Sequence, residues 1–434
     1  MERLIIHALK NWKASHHRKP LVLNGARQVG KTWSLKDFGA HAYQNMVYIN
    51  CDNNPALSEI FWDYDTSRLI RAFSALSNQR IEPHSTLIVL DEIQEYPKAL
   101  TALKYFCENA PDYHIAVAGS LLGVEMHQGS GYPVGKVDEL TLYPMTFREF
   151  LKACGETILI DLLDSQQWDV LKSVRNKCIE LLRQYYFTGG MPEVVQCYLQ
   201  THDLIETRKI QNRIISQYKM DFGKHIPQGM IPKVNMVWDA IPSQLSRENK
   251  KFIYSAIKKG GRAKEFEDAI QWLINAGLIY KVNRVNKLTI PLKFYEDINA
   301  FKLFVNDLGL LGAMASVPAK DILVGTHIFA EYKGAFTEQY VAQQLISSGN
   351  HLYYYTNEKS TLEIDFVLQN DRIHPIEVKA EENLRSKSLK TTIDSNDGLY
   401  GWRFSMADFQ EQDWMVNVPL YAVESWIIHQ LDFP

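Results

Sequence analysis

The chain runs to 434 residues, is 46% apolar and 22% charged, and carries a formal net charge of −3. Such a length exceeds one ordinary core and implies about three domains, and the composition is that of a soluble globular protein. No apolar run approaches the roughly 18 residues of a spanning helix, so no membrane partner is expected. The mild acidity excludes a globally basic nucleic-acid binder, and any such surface has to be local. Five cysteines (Cys51, Cys107, Cys154, Cys178, Cys197) show no C-x-x-C pair, and the thirteen histidines show no metal-ligand spacing. Both facts suit reduced thiols in a cytoplasmic protein.

Residues 1–17 place Leu4, Ile5, Leu9 and Trp12 at helical spacing and lack the unbroken apolar stretch of a signal peptide, which predicts a packed helix. The apolar run Leu21-Val22-Leu23 then leads into Gly25-Ala26-Arg27-Gln28-Val29-Gly30-Lys31-Thr32, a G-x-x-x-x-G-K-T pattern with a helix predicted behind it. Gly25 and Gly30 let the backbone curl so that the N–H groups of this loop point at phosphate oxygens. Lys31 supplies a cation to the β- and γ-phosphates, and Thr32 offers its hydroxyl to Mg²⁺. The helix presents its positive dipole end to the same phosphates.

Strands predicted at 20–24, 46–51, 86–91, 113–119 and 137–143 alternate with helices, giving an α/β sheet of mostly parallel strands covered on both faces. Leu87-Ile88-Val89-Leu90 reads as a strand buried on both sides. At its carboxyl end, Asp91 can hold the magnesium shell, and Glu92 can orient and deprotonate the attacking water. Ser120, beyond the next strand, is a candidate polar sensor of the γ-phosphate, against the plainer reading of a turn serine.

From 147 to 224 the pattern is helical, broken at Thr188-Gly189-Gly190-Met191-Pro192, where Gly-Gly ends one helix and Pro starts the next. This suits a lid behind the nucleotide. Arg148 reads first as an ion-pair residue, with a phosphate contact as the alternative. Further on, helices at 249–258 and 263–276 followed by strands at 278–285 and 288–294 have the order of a winged helix. Arg247, Lys250, Lys251, Lys258, Lys259, Arg262 and Lys264, then Lys281, Arg284, Lys287 and Lys293, could grip DNA phosphates. Glu265, Glu267 and Asp268 on the second helix keep a protein-docking reading open.

The last 110 or so residues place Glu338 on a helix at 336–345, ahead of strands at 351–355, 361–368 and 374–378. Asp365 lies on the second strand. Glu377 and Lys379 are two apart on the third and so share a face. Carboxylates around Mg²⁺ or Mn²⁺, beside a lysine that orients or activates water, would suit phosphodiester hydrolysis. The same fold retained as an inactive scaffold is the alternative.

With these motifs the chain resembles the bacterial and archaeal AAA-type ATPases that carry a C-terminal restriction-endonuclease-like domain. The resemblance rests on Asn24 through Thr32, Leu90-Asp91-Glu92-Ile93-Gln94, Ala118-Gly119-Ser120 and Gly189-Gly190-Met191-Pro192. It rests further on Ala276-Gly277-Leu278-Ile279, Asp307-Leu308-Gly309-Leu310-Leu311 and Pro375-Ile376-Glu377-Val378-Lys379. It implies an α/β multidomain chain: an AAA-type P-loop ATPase sheet (1–150), a helical lid and connector (151–235), a winged helix (236–320) and a PD-(D/E)xK nuclease-like domain (321–434). ATP and Mg²⁺ are the implied cofactors, with Lys31, Thr32, Asp91 and Glu92 in ATP chemistry. Asp365, Glu377 and Lys379 fall in the nuclease motif, with Glu338 as its helix acid and Mn²⁺ a possible ion there. DNA is the expected partner and self-association is possible. Neither a lid sensor arginine nor an arginine finger stands out. The expected function is Mg²⁺-dependent ATP hydrolysis coupled to DNA handling, with metal-dependent DNA cleavage as an open addition; an ATP-gated DNA-binding regulator with an inactive nuclease-like scaffold and a nucleotide-dependent protein-interaction switch are the alternatives.

Overall fold

The computed structural model describes residues 1–119, 132–247, 250–325, 327–357, 361–381 and 386–431. The chain forms two compact units: Met1–Tyr143 with Asn275–Leu278, and Pro144–Ile274 with Ile279–Pro434.

In the first unit, the helix Ile5–Ala14 buries Leu9 and Trp12 of the expected stripe together with Ile6, while Leu4 and Ile5 are half-buried. Five strands, β1 (Leu21–Asn24), β2 (Asn45–Asn50), β3 (Thr86–Asp91), β4 (His114–Ala118) and β5 (Asp138–Thr141), form a sheet of order β2-β3-β4-β1-β5. All four pairings are parallel. Every residue of β3 is buried, as its unbroken apolar run requires. Ile88 and Leu90 share a core with Leu69, Phe73, Leu103 and Phe106, which come from the helices Thr66–Ser77 and Pro97–Asn109. Because β4 lies between β1 and β3, the ends of β1 and β3 stand two strand spacings apart.

The second unit contains an eight-stranded sheet of order β12-β13-β11-β10-β9-β8-β6-β7. Its strands are β6 (Ile279–Val285), β7 (Glu296–Val305), β8 (Tyr353–Thr356), β9 (Glu363–Gln369), β10 (Ile373–Val378), β11 (Gly401–Ser405), β12 (Gln410–Gln412) and β13 (Met415–Pro419). Here the structure departs from the sequence reading. The hairpin read as part of a winged helix joins this sheet, because β6 pairs in parallel with β8 through Asn283↔Tyr353 and Val285↔Tyr355. A strand paired on one side still has open backbone groups on the other, and β8 satisfies them. The segments 236–320 and 321–434 thus contribute strands to one sheet. The return strand also starts later than expected, at Glu296, because Pro291 has no N–H to donate and Leu292–Tyr295 forms a 3₁₀ turn. The first helix of the expected winged helix shrinks to Tyr254–Ile257 and buries no residue.

Two motifs far apart in sequence meet in this unit. Asp307 accepts from the amide of Gly190 at 2.6 Å and from that of Leu310 at 2.9 Å, capping the helix Leu308–Met314. The Gly190 carbonyl accepts from the Met145 amide at 2.6 Å. A Cβ on Gly190 would lie 2.0 Å from the Met145 carbonyl oxygen, and one on Gly309 would lie 2.3 Å from that of Thr188. The helix His327–Ser347 passes through the interior with its glutamines satisfied. Gln339 exchanges hydrogen bonds with the Val305 amide and carbonyl, and Gln343 and Gln344 accept from the amides of Leu308 and Phe147. Buried amide groups need such partners, which explains a helix with no clean apolar stripe. Among the described residues all five cysteines are free, and no helix is long and apolar enough to cross a membrane.

Candidate functional site

The loop after β1 takes positive φ at Gly25 (140°), Gln28 (68°) and Gly30 (98°). A Cβ on Gly25 would meet the Leu142 carbonyl oxygen at 2.2 Å, so only glycine fits the first turn. The helix Lys31–Ala42 follows at once, and no side chain caps its first amides. Such amides, with the helix dipole behind them, are a seat for an anion. Lys31 is 7% exposed, and its ammonium donates to the carbonyls of Gly25 and Ala26, both at 2.7 Å. Burial pushes that ammonium down to about 8, against the opposing pull of Glu92 and Asp91. Arg3 braces the loop from outside, donating to the carbonyls of Val29 at 2.6 Å and Tyr143 at 2.7 Å. Arg27 is exposed. Gly277, in the short segment belonging to this unit, lies so near that a Cβ there would be 3.2 Å from the Ala26 amide.

At the end of β3, Asp91 Oδ2 accepts from the Thr32 hydroxyl at 2.7 Å and from the Tyr48 hydroxyl at 2.9 Å. Asp91 Oδ1 accepts from the Glu92 amide at 3.1 Å. Glu92 sits in the left-handed region at φ 52°, a conformation glutamate rarely adopts, and Gln94 donates to its Oε2 at 2.6 Å. The structure thus gathers Lys31, Thr32, Asp91 and Glu92 in one place. This set suits a nucleotide with its cation: a buried ammonium on loop carbonyls, glycine-shaped backbone, and a hydroxyl already on a carboxylate. Ser120 lies outside the described residues. Sequence reasoning assigned no role to Tyr48, Gln94 or Arg3. Gln94, two residues past Glu92, was open to inspection; Tyr48 and Arg3 act only through the fold.

The C-terminal residues also converge, but differently from the expectation. Lys379 pairs with Glu377 at 2.9 Å, and Asp365 Oδ2 accepts from the Val378 amide at 2.7 Å. Glu338 faces two lysines: Lys250 pairs with its Oε1, and Lys302 stands 3.7 Å from its Oε2. Lys302 is 0% exposed and pairs with Glu363 at 2.6 Å. Burial alone would drive the proton off Lys302, yet Glu338, Glu363 and Asp365 hold it above its ordinary range. For Asp365, burial and the nearby Glu338 push the carboxyl upwards. Among the described residues, no three acids, histidines or cysteines are placed to hold a metal ion. Of the expected ligands, Glu338 thus lies beside Lys250 and Lys302, Glu377 beside Lys379, and Asp365 against the Val378 amide. Lys302 was the missed residue. Its signal was a lone lysine in the apolar run Ala300-Phe301-Lys302-Leu303-Phe304-Val305, which implies a buried acid partner.

Several of the expected DNA-gripping cations are engaged internally. Lys258 pairs with Glu265, Arg284 with Asp297, and Lys293 with Glu296. Lys281 lies over the Phe301 ring at 4.4 Å. Lys259, Arg262 and Lys264 are exposed. Arg148 pairs with Asp164, as the ion-pair reading expects, and its amide donates to Glu424 Oε2 at 3.1 Å.

Residues 17–151 match the model of an AAA domain, in agreement with the P-loop fold of the first unit. Residues 179–321 and 333–422 match two models described only as domains of unknown function. No curated protein matches the chain. Among solved structures, the Walker-type ATPase PABY2304 of Pyrococcus abyssi is 13% identical, with a TM-score of 0.46 over 71% of this chain and 94% of that one. The Orc1 protein of Aeropyrum pernix, solved in complex with DNA, is 13% identical, with a TM-score of 0.28 over 72% and 91%. Cdc6p of Pyrobaculum aerophilum is 13% identical, with a TM-score of 0.24 over 73% and 91%. The first unit is thus an AAA-type P-loop domain, on the strength of its matched model and its own geometry.

Proposed function

We propose that the first unit binds ATP with Mg²⁺ and hydrolyses it, and that nucleotide state governs how the second unit handles DNA. The Thr32–Asp91 hydrogen bond at 2.7 Å, beside the buried Lys31, carries the reading. Lys31 and the loop amides hold the phosphates, and Thr32 and Asp91 hold Mg²⁺. The bound cation neutralises charge on the phosphate oxygens. Glu92 orients the attacking water and takes its proton, Gln94 steadies Glu92, and Tyr48 steadies Asp91. Lys31→Ala removes a charged hydrogen bond of roughly 1.5–3 kcal/mol, so ATP affinity should fall by about one to two orders of magnitude in calorimetric titration. Affinity equal to wild type would remove the loop from the nucleotide site.

Exposed Lys259, Arg262 and Lys264 support the DNA part of the reading. Each cation that neutralises a phosphate adds about 0.9 to the salt slope of binding. Changing all three to alanine should weaken duplex binding and flatten the slope by up to roughly 3. Binding that ignores salt would favour the protein-docking switch instead. In this reading the C-terminal acid cluster is a scaffold, as the ion pairs of Lys250 and Lys302 support.

A further inference from the structure

The charge of the C-terminal cluster can be followed residue by residue. The expected site, Glu338, Asp365 and Glu377 with Lys379, carries three carboxylates against one ammonium, a deficit of two that a divalent ion would cancel. The observed cluster adds the carboxylate of Glu363 and the ammoniums of Lys250 and Lys302. Over these seven groups the deficit is one, and the buried Arg403, level with Glu377 on the neighbouring strand, supplies a further positive charge. A divalent ion would instead leave an excess positive charge in a buried place, so the drive to take one is gone. Lys302 is the fixed part of this arrangement. It projects from β7, is wholly buried, lies 4.9 Å from the Tyr354 ring, and reaches both Glu338 and Glu363. Lys250 comes from a loop and Lys379 is half-exposed. Two carboxylate oxygens of the cluster, Glu338 Oε2 and Glu377 Oε2, are buried with no hydrogen-bond partner, so they are the atoms a cation would engage if the lysine charge were removed.

We propose that the ammonium of Lys302 is a built-in cation that does for Glu338, Glu363 and Asp365 what a divalent ion would otherwise do, so that the cluster is complete without metal. The inference deepens the scaffold reading above and rests on it.

The test is a Mn²⁺ titration of the full-length, nucleotide-free protein by electron paramagnetic resonance, comparing wild type with Asp365→Asn. Equal Mn²⁺ uptake by the two is expected, because no Mn²⁺ sits at the cluster. One equivalent bound by wild type and lost in Asp365→Asn would overturn the proposal. Lys302→Met should create that equivalent, and Asp365→Asn in the same chain should abolish it. It should also lower the melting temperature by roughly 10 °C, since breaking a buried pair strands its partner. Adding Glu338→Gln should restore part of that loss, whereas strictly additive losses would count against the pairing. Should Lys302→Met fail to fold, the wild-type comparison still decides. A plasmid-nicking assay with Mn²⁺ separates the two claims. Mn²⁺ bound at Asp365 without nicking sinks the Lys302 inference and leaves the scaffold reading standing. Nicking lost in Asp365→Asn sinks both.

Discussion

Glu92→Gln should bind ATP as wild type does and turn it over about 10²–10⁴-fold more slowly. The substitution keeps the size of the side chain and its hydrogen bond with Gln94 and removes only the ability to take a proton. Lys31, Thr32 and Asp91 are untouched, so the phosphates and Mg²⁺ keep their partners. Phosphoryl transfer depends chiefly on placing water and neutralising charge, so one lost base stops turnover while the complex persists. Phosphate release and ATP affinity, measured on the same preparation, give the answer. Hydrolysis near the wild-type rate would dismiss Glu92 as the base and leave its left-handed backbone without a catalytic reason.

The second large effect concerns stability. Gly190→Ala should destabilise the second unit by roughly 4 kcal/mol or more, because its Cβ would lie 2.0 Å from a main-chain oxygen with no side chain free to yield. Asp307→Ala should cost roughly 2–5 kcal/mol by leaving the buried amides of Gly190 and Leu310 without an acceptor. The two changes strike one junction, so the double variant should lose much less than the sum. Urea unfolding followed by tryptophan fluorescence reads all three. A Gly190→Ala transition at the wild-type midpoint would show that the backbone relaxes around the new methyl. Asp307→Asn separates cap from charge. Burial pushes the Asp307 carboxyl up to about 6, so the folded state keeps a proton that the unfolded chain releases between that pH and the ordinary carboxylate range. Stability of the wild type should therefore gain on Asp307→Asn as pH falls from about 6 towards 4.

The nucleotide half was legible because its chemistry is local. The glycines, lysine and threonine of the loop act through the backbone they themselves shape, within eight residues of chain. Asp91 and Glu92 were readable from the apolar run ahead of them, since a strand buried on both faces can end only where the sheet opens. Most strand bounds in this unit followed from the same runs. The side chains that steady the site were less visible. Tyr48 reaches Asp91 only because β2 lies beside β3, and Arg3 reaches the loop across 26 residues of sequence.

In the second unit the division of labour is reversed. The sequence showed only the 336–345 part of helix His327–Ser347, whose buried glutamines blur its apolar stripe, whereas strands β8, β9 and β10 follow from their apolar runs and the shared face of Glu377 and Lys379 from the pleat. What Glu338 meets does not. Sequence spacing places residues on faces, but the identity of the opposing charge depends on which strands pair, and the pairing of β6 with β8 is a long-range choice among several open edges. That choice carries β7, and with it Lys302, into the sheet that holds Asp365. The amino-acid order by itself determined the phosphate loop, its acidic partners, and an acid cluster on the C-terminal strands. Only the tertiary structure decided that Glu338 and Glu363 of this cluster meet Lys250 and Lys302, because electrostatic compensation depends on distance in space and not along the chain.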